Sequence, residues 1–196
     1  MKHNFFRSTV LALTALTATA AQSDTGLYGT PPPEDAVFVR WIGDAAPWSQ
    51  PVWGRDLRAQ DLPSATYVAI SASALNGAEP GTYYSVVPTK GDTPTIITEP
   101  SRDDISKVHL LLLNATDHPA SLDLPDGKTQ VIDLTDPMAA KSRAVNPVAV
   151  PLKVNAASRS AQFDVSLRRG QNVSFFVLEN DIVMVPNTFG PVLELE

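Results

Sequence analysis

Along most of this chain, short apolar runs alternate with turn-forming residues. The short length of these runs is the strongest constraint on the fold. The 17 prolines and 10 glycines punctuate the runs, and no segment sustains the 3.6-residue apolar period of a helix. Phe163, Val165 and Leu167 alternate with polar residues, which is typical of a strand with one wet face. Residues 108–113 and 173–178 instead predict strands that are buried on both faces. The chain is therefore predicted to be all-β.

Polar turns join several of these predicted strands into hairpins. Asp126 and Gly127 separate two apolar runs, and Asp-Gly is a strong hairpin signal because both turn residues must accept positive φ. Two further hairpins are predicted to turn at 90–92 and at Asn180-Asp181.

The pattern of strands and turns repeats weakly along the chain. Each half opens with an apolar strand, at Val37 and Val108, and closes with a glycine, an aromatic strand, a polar turn and an apolar strand. The opening strands are 71 residues apart and the closing glycines, Gly81 and Gly170, are 89 apart. The second half is therefore predicted to carry an insertion of about 18 residues, around 137–151.

This repeat predicts two tandem β-sandwich domains, 27–100 and 104–196, joined by a short linker. The polar, proline-containing stretch at 99–104 marks the boundary. One larger two-sheet sandwich is the structural alternative.

Residues 1–20 have the features of a secretory signal peptide. Lys2, His3 and Arg7 give a positive start, residues 10–18 form a short apolar stretch, and Ala18-Thr19-Ala20 fits a small-x-small cleavage site. The apolar stretch is shorter than the roughly 20 residues that span a bilayer. We expect an exported protein that is soluble after cleavage, with an uncleaved membrane anchor as the alternative.

The charge and the cysteine count limit the partners and the means of stabilisation. The net charge is −6, and loss of Lys2 and Arg7 with the signal peptide leaves the mature chain near −8. Nucleic-acid binding needs many phosphate-neutralising Lys and Arg residues, so it is not expected. The chain has no cysteine, so burial alone must stabilise the fold.

The sequence offers little catalytic or metal-binding chemistry. His109 lies in an apolar strand, where a structural role is expected, and Asp117-His118 lies in a polar turn without the nucleophile that a triad requires. Spaced metal ligands and phosphate-binding glycine loops are missing from the sequence. We predict no enzymatic activity, no catalytic or metal residues and no cofactor. An esterase or acetyl carrier that uses His118 is the catalytic alternative.

Three tryptophans within 13 residues are the strongest binding signal. Trp41 lies in a predicted strand and is expected in the core. Trp48 and Trp53, with Tyr28 nearby, are the candidate contacts for a partner protein or a sugar, because exposed aromatic side chains stack on sugars and anchor interfaces.

A series of short blocks resembles the alginate O-acetylation proteins of the AlgF family. The chain carries Leu-Tyr-Gly at 27–29, Ala-Val-Phe-Val-Arg at 36–40, Gly-Thr-Tyr-Tyr-Ser-Val-Val at 81–87, Asp-Gly-Lys-Thr at 126–129 and Leu-Arg-Arg-Gly at 167–170. Further similar blocks are Glu-Pro at 99–100 and Asn-Pro-Val at 146–148. These blocks keep their order along nearly the whole mature chain, and residues 41–59 depart most from the pattern.

The resemblance implies a periplasmic accessory protein of exopolysaccharide O-acetylation. Such proteins are similar to tandem β-sandwiches without an active site, and their implied partners are acetyltransferases of the SGNH-like type and other export-complex proteins. The alternative is a carbohydrate-binding module that recognises the exported polymer. The accessory role predicts an exposed apolar or aromatic patch without pocket chemistry. The carbohydrate-binding module needs a groove with aromatic and hydrogen-bonding groups and, for an anionic sugar, some local positive charge, which the net charge near −8 argues against.

Overall fold

The computed structural model describes residues 30–43, 51–55, 57, 64–87 and 93–195. These residues form thirteen β-strands and one short 3-10 helix, Ala72–Ala74, and none of them is in an α-helix. The prediction of an all-β chain is confirmed. The strands are β1 Ala36–Trp41, β2 Thr66–Ser71, β3 Tyr83–Val87, β4 Thr95–Thr98, β5 Val108–Asn114, β6 Ala120–Asp123, β7 Gln130–Thr135, β8 Ala139–Val145, β9 Val148–Ala156, β10 Arg159–Leu167, β11 Val173–Val177, β12 Ile182–Pro186 and β13 Thr188–Val192.

The strands assemble into three separate sheets. The first sheet has the order β13-β2-β1-β3-β4, the central sheet β12-β11-β5-β8, and the outer sheet β10-β9-β6-β7. Most neighbours are antiparallel, but β1 with β3, β5 with β11, and β2 with β13 are parallel pairs. Parallel neighbours require a crossover connection, so the first and central sheets cannot be simple meanders.

The central sheet is buried on both faces, as predicted for 108–113 and 173–178. Leu110 and Leu112 of β5 contact one hydrophobic core, which is shared with the outer sheet. Leu111 and Leu113 point the other way and pack with Phe176 against the first sheet. Since side chains alternate along a strand, one run of four leucines serves two cores. The three sheets are therefore stacked as layers.

The predicted hairpins are found where the turns are described. Asp126 and Gly127 lie between the antiparallel strands β6 and β7, and Gly127 has the positive φ, +66°, that favours glycine there. Asn180 and Asp181 lie between β11 and β12, which are also antiparallel. The β3 and β4 strands pair as expected, but residues 90–92 lie outside the described residues.

The internal duplication is visible as a shared strand arrangement. The order β4-β3-β1-β2 in the first sheet matches β12-β11-β5-β8 in the central sheet, with the same pattern of parallel and antiparallel pairs. Residues 72–82 separate β2 from β3, whereas 146–172 separate β8 from β11 and contain the β9–β10 hairpin. The extra length thus lies later than the predicted 137–151, because 139–145 form β8, the counterpart of β2.

The chain crosses back between its halves at the C-terminal end. Strand β13 pairs in parallel with β2, and Leu193 and Leu195 pack against the core of the first sheet. The division into domains 27–100 and 104–196 stays a prediction. The structure shows in addition that one strand of the second half, β13, belongs to the sheet of the first half. The predicted signal peptide, 1–20, lies outside the described residues. Among those that are described, none forms a helix with the length and hydrophobicity to cross a bilayer.

Candidate partner-binding face

Of the three predicted contact residues, the structure describes only Trp53. Tyr28 and Trp48 lie outside the described residues. Trp53 is half-buried at the tip of a small turn, where Val52 and Arg55 exchange backbone hydrogen bonds. Its ring packs edge-on against Tyr84, with 5.0 Å between the ring centroids. A partner-contact role for these three residues stays a prediction, and Trp41 is in the core as expected.

The inner surface of the first sheet carries an aromatic cluster, named here the aromatic face: Phe38, Tyr67, Tyr83 and Phe189. The rings of Phe38 and Tyr83 stack at 4.7 Å between centroids, and those of Tyr67 and Phe189 stack at 5.3 Å. Phe38 and Phe189 meet edge-on at 5.7 Å, as do Tyr67 and Tyr83 at 5.3 Å. Such offset and edge-on pairs add about 0.5–1.5 kcal/mol each beyond the area that they bury.

Strand register explains why these four rings share one surface. Phe38 pairs with Tyr83 across β1 and β3, and Phe189 pairs with Tyr67 across β13 and β2. Paired residues point to the same side of a sheet. The alternate residues of β1, such as Val37 and Val39, face the other side and fill the core there. The aromatic face therefore depends on four strands, one of them supplied by the second half.

Arg40 lies beside this face and is completely buried. Its Nε donates to Ser85 Oγ at 2.8 Å and to Glu99 Oε1 at 3.2 Å. Nη1 donates to Asn187 Oδ1 at 2.9 Å, and Nη2 donates to Ser174 Oγ at 2.8 Å. Nη2 also lies 3.0 Å from Glu99 Oε1. Each guanidinium nitrogen thus has a partner, and two of the partners come from the second half.

Glu99 is the carboxylate that joins Arg40 to a second arginine, Arg102. Ser85 Oγ donates to Glu99 Oε1 at 2.6 Å, and the Tyr67 hydroxyl donates to Oε2 at 2.7 Å. Arg102 Nη2 donates to the same Oε2 and, at 2.7 Å, to the Tyr67 hydroxyl oxygen. Arg40, Glu99 and Arg102 are named here the charged cluster. Their side chains are 0%, 0% and 5% exposed, respectively.

The guanidinium groups of the charged cluster also stack on aromatic rings. Arg40 Cζ lies 4.3 Å from the centroid of Tyr67 and 4.7 Å from that of Phe176. Arg102 Cζ lies 4.0 Å from the centroid of Tyr83. Cation–π contacts of desolvated groups reach about 2 kcal/mol. The charged cluster and the aromatic face are therefore one continuous assembly.

Burial shifts the pKa of three groups in this assembly, Tyr67, Tyr83 and Arg40. Burial raises the pKa of Tyr67 far above its ordinary value, and the negative charge of Glu99 acts in the same direction. Burial also raises the pKa of Tyr83. Burial lowers the pKa of Arg40, an effect that Glu99 opposes, and an arginine stays charged in any case. At neutral pH the assembly holds two cations, one anion and neutral phenols.

One edge of the assembly reaches solvent. Phe189 is 58% exposed, while Phe38 and Tyr83 are half-buried. Aromatic residues and arginine dominate the binding energy of protein interfaces. An exposed phenylalanine on a rigid, ion-paired base is suited to recognition. The groups present are cations, a salt-bridged carboxylate and phenols of raised pKa, which suit proton transfer poorly at neutral pH.

His118, the residue of the catalytic alternative, lies elsewhere. It lines a polar hollow of about 240 Å³ with Thr116, Asp117, Arg159 and Glu179 among its walls. The backbone carbonyl of His118 accepts hydrogen bonds from Asn114 and Thr116. Within the described ranges, no three His, Asp or Glu side chains lie close enough to share a metal ion.

Sequence reasoning missed the residues that make up the charged cluster and the exposed ring. Glu99 and Arg102 lie in the stretch that the sequence predicts to be a polar linker, and Phe189 lies in a strand, β13, that no sequence pattern predicts. One signal was available: Arg40 stands at an inward position of an otherwise apolar strand, and a buried charge requires a partner. Its partner Glu99, 59 positions away, could not be identified from the sequence.

Comparison with known proteins finds relatives that share one name, alginate biosynthesis protein AlgF. It is 28% identical to the alginate biosynthesis protein AlgF of Pseudomonas aeruginosa over 197 aligned residues, which cover 90% of this chain and 88% of that protein. The AlgF protein of Pseudomonas putida is 27% identical over 193 residues, with the same coverage of each chain. The Azotobacter vinelandii AlgF protein is 32% identical over 97 residues, covering 48% of this chain and 45% of that protein.

No protein-family model matches the chain. Solved structures of the C-terminal domain of AlgF from P. aeruginosa match with 26% sequence identity and a TM-score of 0.36, covering 41% of this chain and 98% of that domain. The relatives that match over most of their length confirm the predicted resemblance to the AlgF family.

Proposed function

We propose that this chain, a homologue of the alginate biosynthesis protein AlgF, is a periplasmic accessory protein of alginate O-acetylation, or of the O-acetylation of a similar secreted polysaccharide. In this role it contacts other proteins of the modification and export system and catalyses no reaction itself. The names of the relatives support a part in alginate biosynthesis. The O-acetylation step, the periplasmic location and the partners are our proposals.

The single observation that carries the adaptor role is the aromatic face. Phe189 exposes 58% of its surface although it packs against Phe38 and Tyr67. A phenylalanine in that position has a fixed backbone and a supported ring, so little side-chain entropy is lost when a partner covers it. An exposed ring held in this way has the properties of an interface anchor.

The scaffold behind this face supports the same role. Arg40 donates to Ser174 and Asn187 of the second half, and β13 extends the first sheet. These contacts fix the second half against the first with buried polar bonds, which demand particular geometry. An adaptor that holds two enzymes at a set distance needs such a rigid connection.

The proposed partners are acetyltransferases of the SGNH-like type from the same export system. The test immobilises the mature chain, passes over it each purified acetyltransferase of that system, and measures binding. Saturable binding of at least one acetyltransferase supports the proposal. Binding of none of them, together with binding of the polymer, would replace the adaptor by a polysaccharide-binding module.

A separate measurement tests the proposal that the chain catalyses no reaction. The mature chain is mixed with a chromogenic acetyl ester, and a burst of released alcohol is sought. We expect no burst and no turnover above the uncatalysed rate. A burst that disappears in His118→Ala would instead establish the esterase or acetyl carrier.

A further inference from the structure

The charged cluster holds one more positive than negative charge. Arg40 and Arg102 are cations, Glu99 is the one carboxylate paired with them, and the raised pKa of Tyr67 keeps its hydroxyl neutral. A buried charge without a counter-charge is costly. Among the residues that the structure describes, no second carboxylate is paired with this excess.

The excess resides on Arg102. The nitrogens of Arg40 all have acceptors, but Nε and Nη1 of Arg102 are buried and have no hydrogen-bond partner. The side chain is only 5% exposed, so bulk water has little access to these two nitrogens. Two donors on a buried cation that have no partner among the described residues favour an acceptor from outside the chain.

The nearest acidic residues in sequence do not supply this acceptor. Asp103 accepts from Ser101 Oγ at 2.9 Å. Asp104 accepts from the backbone N–H of Ser106 at 3.0 Å and from its Oγ. Both carboxylates are exposed and serve their own turns.

Arg102 adjoins the aromatic face, where the proposed partner would dock. Its guanidinium lies 4.0 Å from the Tyr83 centroid, and the Tyr83 ring lies 6.3 Å from Phe189, centroid to centroid. The Arg102 side chain is only 5% exposed, so the contact that we propose requires the half-buried Tyr83 ring to change its rotamer. Rotamer changes of this kind are common when proteins bind.

We infer that Arg102 binds a carboxylate of the partner protein, an Asp or Glu side chain that lies beside an apolar group packed on Tyr83 and Phe189. This inference rests on the proposed function and adds the chemistry of the partner's contact. The carboxylate would pair with the one cationic group of the cluster that has free donors. Charge-assisted hydrogen bonds of this type are about twice as strong as neutral ones.

The net charge of the whole chain sharpens the inference. If the partner is itself net negative, the mature chain, near −8 after loss of Lys2 and Arg7, repels it at long range, and salt screens that repulsion. The association rate should therefore rise with ionic strength, whereas the buried pair at Arg102 should govern dissociation. A positively charged surface patch would give the opposite salt dependence.

The test uses two capped dipeptides, phenylalanine–glutamate amide and phenylalanine–glutamine amide, which differ only in the carboxylate. They are titrated into the ¹⁵N-labelled mature chain, and the Nε–H signal of Arg102 and the amide signals of Tyr83 and Phe189 are followed by NMR. We expect the glutamate peptide to shift all three signals and to bind about tenfold more tightly than the glutamine peptide, the factor for one charge-assisted hydrogen bond. Equal shifts from both peptides would overturn the inference.

Matched variants complete the test. Arg102→Gln should reduce the preference for the glutamate peptide to near one, whereas Arg169→Gln, at an exposed arginine, should leave it unchanged. If Arg102→Gln does not fold, the two peptides on the unmodified chain still decide. A uronate oligomer that shifts the Arg102 signal more strongly than the glutamate peptide would assign the site to the polymer and overturn a protein carboxylate.

The outcomes separate this inference from the proposed function. An acetyltransferase that binds the unmodified chain and Arg102→Gln equally well overturns the carboxylate contact and leaves the adaptor role intact. Failure of every acetyltransferase to bind overturns the adaptor role, whatever the peptides show.

Discussion

The first sheet and the central sheet share a strand arrangement, yet their inner surfaces are built from different chemistry. Strand β5 of the central sheet presents leucines to both sides, and all four are buried. The equivalent strand β1 presents Phe38 and Arg40 on one side, where an ion-paired network replaces hydrocarbon. Hydrocarbon packing suffices to join layers, as the central sheet demonstrates.

The difference indicates that the first sheet does more than pack. Replacing a buried ion pair with apolar residues is often neutral or stabilising. The ion pair of Arg40 and Glu99 is therefore not needed to give the packed layers their stability. The network instead fixes the residues around the aromatic face through bonds that tolerate little displacement. We attribute the polar chemistry of the first sheet to binding and the apolar chemistry of the central sheet to stability.

The largest expected effect comes from Glu99→Gln. This change leaves two buried guanidinium groups without a counter-charge, so the free energy of unfolding should fall by about 3–5 kcal/mol. Urea denaturation followed by circular dichroism measures it, and Glu194→Gln, at an exposed position, is the control. Equal midpoints for the two variants would show that the charged cluster is not a buried ionic unit.

The next effect tests the central sheet. Leu112→Ala removes a fully buried side chain from the core between the central and outer sheets, and should cost about 2–5 kcal/mol. Ala144→Gly on β8, at an exposed position, provides a control for a small change within the same sheet. A loss below about 1 kcal/mol for Leu112→Ala would contradict the two-faced burial of β5.

A smaller effect depends on pH. The folded state raises the pKa of Tyr67 above its ordinary value of about 10. The neutral phenol is therefore the form that the fold favours, and its contribution is present below about pH 10 and lost as the pH rises further. Stability should fall between about pH 9 and pH 11, and Tyr67→Phe should flatten that fall.

The Tyr67→Phe variant has a second, pH-independent signature. It removes the hydroxyl that donates to Glu99, so it should lose about 1.5–3 kcal/mol at neutral pH. Thermal unfolding at several pH values measures both terms. If the fall in stability at alkaline pH is unchanged in Tyr67→Phe, Tyr67 is not the titrating group. That result would point instead to Tyr83, whose pKa burial also raises.

Pattern and periodicity predicted the fold well where local sequence determines it. The two-faced burial of 108–113 follows from a run that is apolar except at His109. The turn at Asp126-Gly127 follows from the positive φ that Gly127 accepts, whereas Asp126 does not adopt the positive φ expected of it. The duplicated strand arrangement could be predicted for the same reason, since both halves repeat one order of runs and turns. The later position of the insertion could not, because β8, 139–145, alternates too weakly to be recognised as a strand.

The candidate site could not be predicted because it is made by register and crossing strands. Arg40, Glu99 and Arg102 meet only after β1, β3 and β4 pair, and Asn187 arrives from 147 positions away. Phe189 joins them because β13 leaves the second half to pair with β2. The density of tryptophans at 41–53 is a local signal in the sequence, whereas the aromatic face contains no tryptophan.

The most direct test of the aromatic face compares Phe189→Ser with Leu134→Ser. The two side chains are almost equally exposed, 58% and 59%, but Leu134 lies on the outer sheet, so both variants should fold while only one alters the aromatic face. The affinity of each for an acetyltransferase that binds the unmodified chain is measured by calorimetry. We predict that Phe189→Ser weakens binding at least about tenfold and that Leu134→Ser changes it less than about twofold. Equal affinities for the two variants would contradict the assignment of the aromatic face as the partner-binding surface.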